Sequence, residues 1–113
     1  MIQPYRAVLP STQEPDRVAF VKSYSVDYQR EIGDTGKTIE TEKGNPSFYN
    51  TRGIAFKNKG EYEKAIEDYT TAIGLKKFSS YYYNRAIAYK QLGEFHKSIE
   101  DFTEAIRLDP EGS

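Results

Sequence analysis

The stretch of this chain with the strongest look of a reactive site is Gly33-Asp34-Thr35-Gly36-Lys37-Thr38. A phosphate-binding loop needs a glycine, four residues, then Gly-Lys-Ser/Thr, so that backbone amides wrap a phosphate and the lysine neutralises it. Gly36, Lys37 and Thr38 supply the end of that pattern, but its first position falls on Glu31, an anion facing an anion. A helical pattern precedes the segment where a strand is required, so the segment reads as a polar linker. His96 is the only histidine and stands among Glu94, Lys97 and Glu100. Without cysteine or a second histidine it makes neither a metal site nor an activated nucleophile. Glu67-Asp68 and Glu100-Asp101 recur at corresponding places in two similar segments, which suggests a solvated helix face rather than an acid/base pair. No catalytic residue, metal or cofactor is expected.

The bulk properties point the same way. At 113 residues the chain has room for one small domain. Its hydrophobic fraction of 37% is low and its charged fraction of 29% high, but ten Tyr and six Phe argue against disorder. Net charge is −1, and the charges are balanced in both parts: six basic against seven acidic residues over 1–45, and ten against ten over 46–113. A nucleic-acid partner needs a one-signed field that is missing here. There is no cysteine for a disulfide framework, no secretory leader pattern, and no apolar run near the roughly 18 residues that span a membrane. A cytoplasmic protein without membrane contact is the expectation.

The dominant signal is a doubled stretch. Residues 46–76 superimpose on 79–109 with a shift of 33, which sets Tyr49 on Tyr82, Arg52 on Arg85 and Gly60 on Gly93. The same shift sets Tyr69 on Phe102 and Ala72 on Ala105. A fixed period of this length marks a stacked-repeat architecture. Asn45 and Pro46 suit a helix start, Gly60 a helix end, and Ala65, Ile66, Tyr69, Ala72 and Ile73 a second helix at 62–75. Ser79 is expected to cap a third helix, which Gly93 stops, and a fourth runs from 95 to 108 before Pro110. Short turns between them force antiparallel hairpins. Small residues at Gly53, Ala86, Ala65 and Ser98 allow close helix approach, with Tyr and Phe filling the flanking groove.

Ahead of the repeats, residues 1–14 read as an extended arm and 15–32 as an amphipathic accessory helix along Val18, Val21, Tyr24, Tyr28 and Ile32, ended by Gly33. Residues 33–45 complete the picture as a polar linker. The repeat domain then occupies 46–113, divided into repeat 1 at 46–78 and repeat 2 at 79–112.

The spaced residues resemble the tetratricopeptide repeat family. Tyr49, Gly53, Phe56, Gly60, Ala65, Tyr69 and Ala72 match its pattern in the first copy. Tyr82, Ala86, Tyr89, Gly93, Ser98, Phe102, Ala105 and Pro110 match it in the second. Lys77 replaces the closing proline of the first copy, and the period is one residue short of the usual length. The resemblance implies an all-α helical-hairpin solenoid of two units with an extra N-terminal helix, acting as an adaptor that binds a peptide or helix. The concave groove would then be lined by Asn50, Ile54 and Lys57 from the first repeat and Tyr83, Asn84, Ile87 and Lys90 from the second. Asn84 matches the middle asparagine of family members that clamp a chaperone's C-terminal carboxylate. Asn50 and Ile54, however, stand where such clamps carry Lys and Asn, so this subclass is disfavoured.

Each hairpin of such an array buries one face in the next, and about three repeats are normally needed. Ile99, Phe102 and Ile106 on the last helix would therefore face water, and an exposed apolar patch marks an interface. The alternative function is accordingly a structural subunit that self-associates through this face. The accessory helix packing beside the first repeat would supply a cap at the other end.

Overall fold

The computed structural model describes residues 27–112, and among them the chain forms five helices and no strand. Helix α1 covers 27–41. It is followed by α2 (Pro46–Lys59), α3 (Tyr62–Leu75), α4 (Ser79–Gln91) and α5 (Phe95–Leu108). The arm at 1–14 and residues 15–26 of the accessory helix lie outside the described residues.

Local chemistry sets most boundaries. Asn45 is extended and its side chain accepts a 3.0 Å hydrogen bond from the Ser47 amide, while Pro46, lacking an N–H, starts α2 at no loss. Gly60 ends α2 with φ of 91°, a left-handed conformation that a Cβ would penalise. The Gly60 amide then bonds the Lys57 carbonyl and the Glu61 amide the Phe56 carbonyl, closing the helix end. Gly93 repeats the device with φ of 80°, its amide on the Lys90 carbonyl and that of Glu94 on the Tyr89 carbonyl. These two turns fold α3 back on α2 and α5 back on α4, and α3 packs in turn on α4. Ser79 does not cap α4 as expected. Phe78 holds the cap position without a side-chain bond, and the Ser79 hydroxyl donates instead to the Ala105 carbonyl at 2.9 Å, tying the start of α4 to α5.

The core sits where small and large residues meet across the helix pairs. Tyr69 is fully buried over Gly53, where an added Cβ would come within 2.6 Å of the tyrosine ring. Ala65, Tyr69 and Ala88 form one cluster, and Ala72, Ile73, Tyr81, Tyr82 and Ala105 another. Ser98 takes the place of Ala65 in the second hairpin, and its buried hydroxyl is satisfied by the Ala86 carbonyl at 2.8 Å.

Residues 33–41 differ from expectation. They are helical rather than a linker, and Gly33 ends nothing. A glycine inside a helix costs about 1 kcal/mol relative to alanine. Here that is offset by burying Thr35 and Ile39. Lys59 donates to Gln29, and Gly36 lies beside the Arg52 side chain, so α1 runs antiparallel to α2. A shift of 34 sets Tyr28, Ile32 and Ile39 of α1 on Tyr62, Ile66 and Ile73 of α3. Thr35 takes the place of Tyr69. Helix α1 thus stands to α2 as α3 stands to α4. The segment 33–38 lies within it, so the Gly-Lys-Thr amides follow a helix and wrap no phosphate.

The Gly53–Tyr69 contact leaves one group unsatisfied, because the buried Tyr69 hydroxyl has no hydrogen-bond partner. Burial also raises its pKa. Tyr69→Phe is expected to stabilise the fold by about 1 kcal/mol by removing that orphan. Gly53→Ala is expected to destabilise it by about 2 kcal/mol through overpacking. Urea denaturation of the two variants measures both.

Candidate functional site

Two sets of polar contacts distinguish these helices from ordinary helix surface. The first is a polar contact across the repeats. Asn84 Nδ2 donates to Asn50 Oδ1 at 2.9 Å, joining α4 to α2. Both residues are half-buried. Towards the other end of these helices, Lys57, Asn58, Tyr62, Ile87 and Gln91 line a cavity of about 360 Å³. Ile54 is half-buried and packs against the cluster around Tyr69. Lys90 is exposed on α4. Tyr83 does not join this group. Its ring meets Phe102 edge-on at 5.6 Å, and it lines a separate cavity with Ile106 and Asp109. The shift of 33 pairs Asn50 with Tyr83 in the sequence, but neighbouring helices meet one residue further on, at Asn84.

The second feature is a matched pair of ion pairs that hold each hairpin closed. Arg52 Nε and Nη2 donate to the two carboxylate oxygens of Asp68, both at 2.8 Å. Arg85 makes the same fork with Asp101 at 2.7 and 2.9 Å. Both aspartates are buried. The hydrogen bonds to the carboxylates raise the pKa of each guanidinium against the opposing effect of burial. This corrects the reading of both carboxylate pairs as solvated: Glu67 and Glu100 are exposed, but Asp68 and Asp101 are inside. Their signal in the sequence is an opposite charge repeated 16 positions after each arginine, next to core residues. The pairs are structural, since a fully paired fork has no base to offer a substrate.

A model of the tetratricopeptide repeat matches residues 46–77 and 79–111. The chain belongs to the tetratricopeptide repeat family. No curated protein matches it. Among solved structures, the second tetratricopeptide domain of Spaghetti (RPAP3), bound to the HSP90 peptide SRMEEVD, is similar at 26% identity and a TM-score of 0.72. That likeness covers 95% of this chain and 99% of the other. The first tetratricopeptide domain of the same protein, with the same peptide, is 20% identical with a TM-score of 0.74, over 87% of this chain and 76% of the other. A crystal structure of MamA is 24% identical with a TM-score of 0.72, over 76% of this chain and 51% of its own. The last two likenesses speak to the fold alone. The chain spans about half the length of the MamA structure.

Within this tetratricopeptide array the outer side of α5 is the third notable surface. Ile99 and Ile106 are 63% and 64% exposed, and Phe102 is half-buried. His96 is also exposed. No group of three His, Cys, Asp or Glu among the described residues could hold a metal ion, and none of the described helices is long and apolar enough to cross a membrane.

Breaking one fork should show its structural role. Asp101→Ala leaves Arg85 half-buried without its partner and is expected to destabilise the fold by about 3 kcal/mol. Arg85→Met combined with Asp101→Leu should recover most of that loss, since no unpaired charge remains. Thermal melts of the single and double variants check the sign and the non-additivity.

Proposed function

We propose that this tetratricopeptide domain is an adaptor, without chemistry of its own, that holds an extended acidic peptide along the groove between α2 and α4. The observation that carries the reading is the Asn84–Asn50 hydrogen bond. Each amide spends one group on the other, which leaves the Asn50 NH2 and the Asn84 carbonyl for a backbone C=O and N–H of a guest strand. Lys57 lines the cavity between the two helices and Lys90 is exposed on α4, and their positive charge gives the groove its preference for acidic side chains. The RPAP3 domain that is similar over nearly its whole length holds SRMEEVD, whose sequence carries three acidic residues. Asn50 and Ile54 depart from the carboxylate-clamp pattern, so the guest is gripped by its backbone and side-chain charge more than by its C-terminus.

Fluorescence anisotropy with labelled SRMEEVD and with its C-terminally amidated form tests this. Both forms are expected to bind with similar affinity, weakening as salt is added. Asn84→Ala should weaken binding about tenfold, the equivalent of about 1.4 kcal/mol. Tyr83→Ala should leave it unchanged. Wild-type affinity in the Asn50→Ala and Asn84→Ala variants would sink the groove reading.

A further inference from the structure

The array contains one interface that shows what the exposed face of α5 is built to meet. Phe95, Ile99, Phe102 and Ile106 occupy, one repeat later, the positions of Tyr62, Ile66, Tyr69 and Ile73 on α3. On α3 the last two of these are buried, in clusters with Tyr81 and Ala88 of α4. On α5 the same stripe is open, with Phe95, Ile99 and Ile106 all more than 60% exposed. The complementary surface is therefore that of an α4-like helix. This chain carries a second such helix. Phe48, Arg52 and Ala55 of α2 repeat Tyr81, Arg85 and Ala88 of α4. In the single chain that seat is filled by α1.

Helix α1 fills it poorly. Thr35 replaces the aromatic residue that α3 and α5 both carry, and two glycines weaken the helix itself. A hydrogen bond is also lost. Arg85 Nη1 donates to Thr70 Oγ1 at 3.1 Å between α4 and α3. At the corresponding place on α1 stands Gly36, where even an added Cβ would lie only 3.5 Å from Arg52 Nη1 and offer no acceptor. The position on α5 is Thr103, exposed and carrying the required hydroxyl.

We propose that α5 of one copy docks on α2 of the next, in the seat that α1 fills within a single chain, with Thr103 accepting from Arg52 across the contact. The donor and acceptor faces are different surfaces of each copy. The contact is therefore head-to-tail and propagates instead of closing as a pair. Helix α1 acts as the stopper that assembly displaces.

Sedimentation velocity on the full chain over a concentration series tests this. The weight-average mass is expected to climb past twice the 13.0 kDa of one chain. Ile99→Glu with Ile106→Glu, at exposed positions that leave the helical circular dichroism unchanged, should hold the mass at one chain. Thr103→Val should weaken association about fivefold, the effect of one hydrogen bond. The absence of cysteine allows Gln29→Cys and Lys59→Cys to be joined by a bis-maleimide, pinning α1 to α2, and this protein should also stay monomeric. Mixed with the Ile99→Glu, Ile106→Glu variant, the pinned protein should give pairs and nothing larger, because only one donor face and one acceptor seat remain. A wild-type chain that stays monomeric throughout overturns the proposal. So does assembly that persists when α1 is pinned, which would mean that α5 pairs with α5 or meets another surface.

Discussion

A helix of 14 residues, the length of α2, α3 and α5 alike, cannot bury its apolar stripe on itself and is marginal in water alone. Every helix here depends on the next one to cover that stripe, and the architecture follows from passing the requirement along the chain. Helix α3 meets it on both sides, from α2 and α4, and carries the fully buried Tyr69. Helix α1 meets it from one side with Ile39 and Thr35. Helix α5 covers Ala105 and Ser98 against α4 and leaves its second stripe open.

Within each hairpin the same packing problem is solved twice with different residues. Gly53 receives the fully buried Tyr69, whereas its counterpart in the second hairpin is Ala86 and the counterpart of Tyr69 is the half-buried Phe102. Ser98 replaces Ala65 and satisfies its hydroxyl on the Ala86 carbonyl. The Arg–Asp fork is the constant element, fixing the helix crossing with two directed bonds in each hairpin. With the hairpins held alike, the relation between them also becomes regular, and that brings Asn84 onto Asn50. That amide contact is thus a consequence of repeat stacking rather than of any one helix.

The fold was legible because its signals are local and doubled. Gly60 and Gly93 end helices through a backbone conformation that glycine adopts freely, and Asn45-Pro46 starts one through groups within two residues. The period follows from such marks without knowledge of any long-range contact. The site was partly legible: of the residues that family spacing assigns to a groove, Asn50 and Asn84 meet each other and Lys57 and Ile87 line one cavity, while Tyr83 lies against Phe102. Asp68 and Asp101 looked like surface charge because each follows an exposed glutamate, and the arginine that pairs with each lies 16 residues away.

By itself the sequence determined the helices of the two repeats, their turns and their antiparallel pairing, since these depend on neighbours a few residues apart. Tertiary structure alone decided three things. It continued α1 through Gly33 and Gly36, because burial of Thr35 and Ile39 outweighs glycine's preference for loops. It turned two apparently solvated aspartates into buried partners of arginines 16 residues away. It also left Ile99, Phe102 and Ile106 without the cover that α4 gives their counterparts. The doubled stripe predicts a partner helix, but only the packed array shows which seat is taken and which helix takes it.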